Sequence, residues 1–150
     1  MTKNVLLTGA NGFLGSRLAV TLNAKPCVCL TAAVRRSVQL SAKNIFEVQS
    51  LDANTDWSES VTDQQVVIHT AARAHVMKDK AADLLEKYRR VNVDGTLNLA
   101  QQAVDAGVTR FIFISSIKVN GEQTSCGRVY TTEDLPAPED AYGISKYEAE

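Results

Sequence analysis

The chain has 150 residues, with 16 Lys plus Arg against 17 Asp plus Glu and a formal net charge of -1. Hydrophobic residues make up 45% and charged residues 22%, ordinary values for one globular domain with a real core. Near-neutral charge argues against nucleic acid or an anionic membrane as a partner, no 18-residue apolar run offers a membrane span, and the first residues lack the apolar region and cleavage site of a signal peptide, so the expected location is the cytoplasm.

Short apolar runs alternate with helical patterns. Residues 4–8 read as a buried strand, and residues 13–22 carry Leu14, Leu18 and Leu22 at helical spacing. Residues 28–34 read as a second strand and 45–48 as a short third. Residues 55–60 suggest a helical turn bearing the single tryptophan, Trp57. Residues 66–69 read as a fourth strand. A long helical stretch is expected over 81–106, with Gly95 as a bend or a point of close packing and Gly107 as the residue that ends it. Residues 110–114 make a fifth strand, the polar stretch 121–140 a long loop, and a further helix starts at Tyr142. Alternation of this kind predicts an α/β domain, a Rossmann-like doubly wound parallel sheet with helices on both faces. The pattern still runs as helix at Glu150, so a chain truncated before a substrate-binding C-terminal lobe is expected, with residues 1–150 as an incomplete dinucleotide-binding domain.

Cys27 and Cys29 fall two apart in an apolar run, and Cys126 lies in a polar stretch. Without a histidine cluster these thiols do not form a metal site, and the expectation is no metal, with the cysteines acting as small buried hydrophobes.

Three glycines, Gly9, Gly12 and Gly15, lie between the first strand and the first helix. Gly9 permits a tight turn, Gly12 lets backbone approach a pyrophosphate, and Gly15 lets helix and strand pack closely. The helix start adds free N–H groups and a positive dipole end. The spacing is G-x-x-G-x-x-G, not the usual G-x-G-x-x-G, so its placement carries more weight than the glycines themselves. About 20 residues past the loop, where an acidic residue grips the ribose of NAD, stands Arg35, followed by Arg36. A guanidinium there suits a 2′-phosphate and favours NADP(H), with NAD(H) possible if the two arginines are only a solvated pair. Asp52, next to Ala53 after the third strand, is a candidate for the adenine end through its carboxylate, or a simple turn residue.

Tyr142 and Lys146 are four apart and share a helix face. A phenol near pKa 10 is a poor base at neutral pH, and a neighbouring ammonium favours the phenolate. Ser115 and Ser116 stand at the carboxyl end of the fifth strand, the edge at which open α/β sheets bind ligands.

These pieces, namely residues 8–15, 69–72, 91–99, 111–121 and 142–146, resemble the N-terminal part of an extended short-chain dehydrogenase/reductase. The branch is that of nucleotide-sugar epimerases, 4-ketoreductases and dehydratases. The resemblance implies catalytic roles for Ser116, Tyr142 and Lys146, with Tyr142 as acid/base and Lys146 on the nicotinamide ribose. It implies a cofactor site of Gly9, Asn11, Gly12, Phe13, Leu14, Gly15, Arg35, Asp52, Ala53, Thr70, Ala71, Ala72 and Asn92, together with Tyr142 and Lys146. Asn92 would help order it. His69 and His75 then need no catalytic role, and His69 is expected in the core. Ser116 is followed by Ile117 and Lys118 where dehydratases carry Asp-Glu, which counts against water loss. The implied function is chemistry at C4 of a nucleotide-diphosphate sugar, as a 4-epimerase or 4-keto-sugar reductase in surface-polysaccharide sugar synthesis, in a homodimer when full length. As given, the chain is expected to be inactive or nearly so. Alternatives are a nucleotide-sugar dehydratase, a reductase of another alcohol or ketone such as a steroid or flavonoid, and a non-catalytic NADP-sensing protein.

Overall fold

The structure is a computed structural model that describes residues 2–36, 40, 42–74 and 84–150. Five strands, β1 (Lys3–Thr8), β2 (Val28–Val34), β3 (Asn44–Glu47), β4 (Val66–His69) and β5 (Arg110–Phe113), form one parallel sheet in the order β3-β2-β1-β4-β5. Chain order reverses direction between β1 and β4, and such a switch point opens a crevice beyond the carboxyl ends of the strands.

Each sheet face carries its own core, as the alternation of strand side chains requires. On one face Val5, Leu7, Leu30, Ala32 and Val34 meet Ala19 of helix α1 (Phe13–Asn23). On the other, Leu6, Ala33 and Val67 meet Trp57 and Val61 of the short helix α2 (Ser58–Val61) and its cap. Leu99 and Ala103 of helix α4 (Gly95–Asp105) complete that layer. The doubly wound architecture expected from the alternation is therefore present.

Four local expectations are corrected. The leucine stripe of α1 does not mark its buried face: Leu14 is exposed and Leu18 and Leu22 are half-buried, while Gly15 and Ala19 are covered. Small residues face the sheet because this helix packs close to it. Trp57 sits at the N-cap of α2 and not within a helical turn. The long helix is not continuous over its described part. It runs as α3 (Leu84–Arg89), widens into a π-helical turn at Arg90–Asp94, and resumes as α4, with Gly95 pressed against Leu51; residues 81–83 lie outside the described residues. The cysteines are not core: Cys27 and Cys126 are exposed and Cys29 is half-buried. Cys27 precedes β2 at the amino edge of the sheet.

Past β5 the chain makes a 3-10 turn at Ile117–Val119, crosses an irregular stretch, and enters helix α5 (Ala141–Glu148). Asp140 caps α5 by accepting from the Gly143 amide at 2.6 Å.

Candidate functional site

At the switch point a cavity of about 610 Å³ opens over the ends of β1, β2 and β4. Gly9 turns the chain out of β1 at φ +66°, and a Cβ on it would lie 2.8 Å from the Ala71 amide nitrogen. A Cβ on Gly15 would lie 2.0 Å from the Gly9 carbonyl oxygen. The loop is thus built on backbone packed against backbone. Gly12, the N-cap of α1, has no side chain to satisfy the first-turn amides, which leaves them to an anion.

Gly9, Asn11, Gly12, Arg35, Asp52, Thr70, Ala71 and Ala72 line this cavity, eight of the residues picked out in the sequence. Arg35 is exposed at its rim. Asp52 is buried. Its Oδ1 accepts from the Asn54 amide at 3.0 Å and its Oδ2 from Arg90 at 3.0 Å. These bonds hold the carboxyl below its usual range, the Asn54 amide first and the Arg90 guanidinium next. Asp52 is therefore a turn residue and a cavity residue at once. Gly15 is covered at the base of the loop, whereas Phe13, Leu14 and Ala53 are exposed and outside the cavity lining.

Ser116 and Tyr142 are brought together by the packing of α5 on the 3-10 turn. A Cβ on Gly143 would stand 2.7 Å from the Lys118 carbonyl oxygen, and Lys118 Nζ bonds Asp140 at 2.6 Å and Glu122 at 2.8 Å. Ser116, whose hydroxyl accepts from the Lys118 amide at 3.3 Å, stands near enough to the Tyr142 side chain to act on the phenol. Burial raises the phenol above its usual pKa and the Ser116 hydroxyl pulls it partly back. The direction is opposite to the one expected from Lys146. The reason is burial of the phenol, which outweighs the charges around it. Lys146, only 2% exposed, places Nζ 3.8 Å from the centroid of the Phe113 ring. Burial pushes its ammonium down to about 8. The edge of Tyr88 packs on Tyr142, with ring centroids 6.0 Å apart.

A buried hydrogen-bond chain ties the cavity to α5. The Thr96 hydroxyl donates to the Asn92 carbonyl at 2.6 Å, so its oxygen must accept from His69 Nε2–H at 3.1 Å. His69 Nδ1 then accepts from the Thr8 hydroxyl at 2.6 Å, and the Thr8 oxygen accepts from the Ala71 amide at 3.3 Å. The imidazole is neutral and of one tautomer; burial first, and the Lys146 charge second, push it down to about 3. His69 is in the core, as expected, yet fully engaged there; His75 lies outside the described residues. Asn92, at the π-helical turn, accepts from the Arg73 amide at 2.7 Å and donates to the Arg73 carbonyl at 3.1 Å and to Ser145 at 3.0 Å. Ser145 donates to the Tyr142 carbonyl at 2.8 Å.

Thr8, Thr96, Ser145, Arg90 and Phe113 escaped sequence reasoning. Only Phe113 carried a signal, an aromatic two residues before Ser115 at the strand end.

Among the described residues no metal-ligating cluster exists, and no helix is long and apolar enough to cross a membrane. The cavity volume, the backbone cradle and the uncapped helix start fit a dinucleotide.

Residues 5–150 match the model of the NAD dependent epimerase/dehydratase family. The chain is 53% identical over 150 residues to a UDP-glucose 4-epimerase of Vibrio cholerae, covering 100% of this chain and 46% of that protein. It is 29% identical over 154 residues to a GDP-6-deoxy-D-mannose reductase of Pseudomonas aeruginosa, again 100% of this chain and 46% of the relative. Among solved structures, MoeE5 in complex with UDP-glucose and NAD superposes with a TM-score of 0.81 at 29% identity, covering 97% of this chain and 46% of the other. The chain thus spans about half the length of these relatives.

Proposed function

Since the chain belongs to the NAD dependent epimerase/dehydratase family, we propose that it is the dinucleotide-binding and acid/base portion of an enzyme that works at C4 of a UDP-linked hexose, as a 4-epimerase. The observation that carries this reading is the joining of the two halves of such a site. The glycine cradle and the Ser116–Tyr142 pair lie on different elements, and the His69–Asn92–Ser145 hydrogen bonds link them. The identity with the Vibrio cholerae protein favours epimerase over reductase. A place in surface-polysaccharide sugar synthesis and a homodimer, with exposed Leu97 and Val104 of α4 toward the second copy, belong to the same reading.

Each residue then has a task. The first-turn amides of α1 and the Gly9–Gly12 backbone hold the pyrophosphate. Asp52 lies at the adenine end. A nicotinamide held in this cavity would supply reversible hydride transfer with the sugar carbon. Tyr142 takes the proton of the sugar hydroxyl and gives it back, and Ser116 hydrogen-bonds the same oxygen and steadies the phenol. Lys146, one turn on from Tyr142 on the same helix, would bring a positive charge to the nicotinamide ribose. Asn92 keeps α5 in register with the loop after β4.

NADP(H) is the second reading of the cofactor, favoured by Arg35 at the cavity rim, where a 2′-phosphate would lie. The NAD in the MoeE5 structure favours the first. Titration with NADH and NADPH, followed by the fluorescence of Trp57 at the cavity wall, tests both. Tighter NADPH binding that Arg35→Asp abolishes supports NADP(H) and a ketoreductase. Tighter NADH binding indifferent to that change supports the epimerase. In a full-length protein that contains this chain, interconversion of UDP-glucose and UDP-galactose that survives Tyr142→Phe would defeat the catalytic assignment.

A further inference from the structure

Lys146 is a buried cation of an unusual kind. Among the described residues no carboxylate lies within salt-bridge distance of it, and the group that meets its Nζ is the face of Phe113, at 3.8 Å. The nearest anionic influence is Glu150, which bonds the Ser115 hydroxyl instead. Phe113 also lies near-parallel to the His69 imidazole, at 21° with centroids 6.0 Å apart. His69 is held neutral by the Thr8 and Thr96 hydroxyls, so it brings no second positive charge to the ring. Tyr142 lies one helical turn before Lys146 on α5.

This arrangement solves an electrostatic conflict. A buried ammonium needs a partner, because leaving it without one costs several kcal/mol. A carboxylate partner would cancel the field that a nearby phenol needs in order to ionise. An aromatic face attracts the cation through its quadrupole and carries no net charge, so it solvates the ammonium and leaves its charge in force.

We propose that Phe113 is a positioning residue for Lys146, holding its ammonium against the ring face as a buried cation without a carboxylate partner, one helical turn on from Tyr142. The proposal rests on the reading above, in which Lys146 brings its charge to the nicotinamide ribose, and adds a residue that touches neither substrate nor cofactor. Leu or Ile in place of Phe113 would fill the strand position but offer no such face.

The test is nuclear magnetic resonance of the chain carrying 13C at the lysine Cε, with Lys146 assigned by the resonance that Lys146→Met removes. The expected result is an ε-CH2 proton signal clearly upfield of the other lysines, from the ring current, with a titration midpoint near 8. Phe113→Leu returns the signal to the common lysine position and lowers the proton affinity about tenfold, the scale of a desolvated cation–π contact. Phe113→Tyr, which keeps the ring, preserves both. A wild-type Lys146 signal among the bulk lysines overturns the proposal, as does a Phe113→Leu midpoint that is unchanged or raised. Trp57 fluorescence on the same samples reads NADH binding. If NADH binds while Lys146 shows no ring current, the positioning role fails and the dinucleotide reading stands. A shifted Lys146 in a chain that binds neither NADH nor NADPH overturns that reading and the positioning role with it.

Discussion

Stability should report the protonation of His69 directly. In the native state burial and the Lys146 charge hold it down to about 3, against 6.5 for the free group. Between those values the unfolded chain binds a proton that the folded chain refuses, so stability falls as pH falls through that window. Well inside it each pH unit costs about 1.4 kcal/mol, and because the slope is only half developed at pH 6.5 the loss from pH 6.5 to 4.5 comes to about 2.3 kcal/mol. Carboxylates such as Asp52 and Glu148, lowered in the fold, add their own losses at the acid end. His69→Gln separates the two contributions, because Gln keeps an N–H for Thr96 but does not titrate. The assay is urea unfolding at a series of pH values for both proteins. At pH 7.5 the wild type should be more stable, having its ring contacts and the Thr8 bond. That advantage should shrink by about 1.4 kcal/mol per unit below pH 6.5 and invert near pH 5 if the packing advantage is about 2 kcal/mol. Parallel pH profiles would show that His69 is solvated enough to titrate normally, and would refute the single-tautomer hydrogen-bond chain.

Further outcomes follow from the same geometry. Gly15→Ala forces about 1 Å of separation between α1 and the Gly9 carbonyl, so it should cost about 1–3 kcal/mol and weaken NADH binding, whereas Gly107→Ala, at φ +78° with open space around it, should cost about 1 kcal/mol and leave binding intact. Urea unfolding and Trp57 fluorescence measure both. Asn92→Leu leaves the Arg73 amide and carbonyl without their buried partner and should destabilise by about 2–4 kcal/mol. Lys146→Met should stabilise the chain at pH 7 by up to about 3 kcal/mol. The wild-type lysine, at about 8 in the fold and 10.5 unfolded, regains stability only as pH rises between those values, so the gap closes towards pH 10.5.

The sheet could be read from the sequence because each strand carries a short apolar run and each connection changes period. β2 and β4 keep the expected bounds, β1 and β5 differ by one residue at one end, and β3 slides by one residue at both. The glycine loop was readable for the same reason: its position between strand and helix is a local fact. The buried face of α1 was not, because periodicity counts large apolar residues, while close packing on a sheet selects Gly15 and Ala19. Tyr142 and Lys146 could be placed on one helix, but where the ammonium rests depends on Phe113, about thirty residues earlier and on another element. The bonds of Thr8, His69, Thr96 and Asn92 join four elements, and no spacing within any of them signals the others.

The π-helical turn at Arg90–Asp94 has a consequence for how this chain tolerates change in length. A π-helical turn holds one residue more than an α-helical turn. Its stray carbonyl at Asn92 is taken by the Thr96 hydroxyl. Deleting a single residue anywhere from Arg89 to Asp94 would let the helix become regular, and the local backbone would gain by it. But everything on one side of the cut would turn by about 100° relative to the other. Either Tyr88 would leave Tyr142, or Leu99 and Ala103 would leave the sheet. Apart from Arg90 and Asn92, whose bonds hold the site, this segment should tolerate substitution far better than deletion, so the number of residues between Tyr88 and Leu99 is itself a requirement of the site.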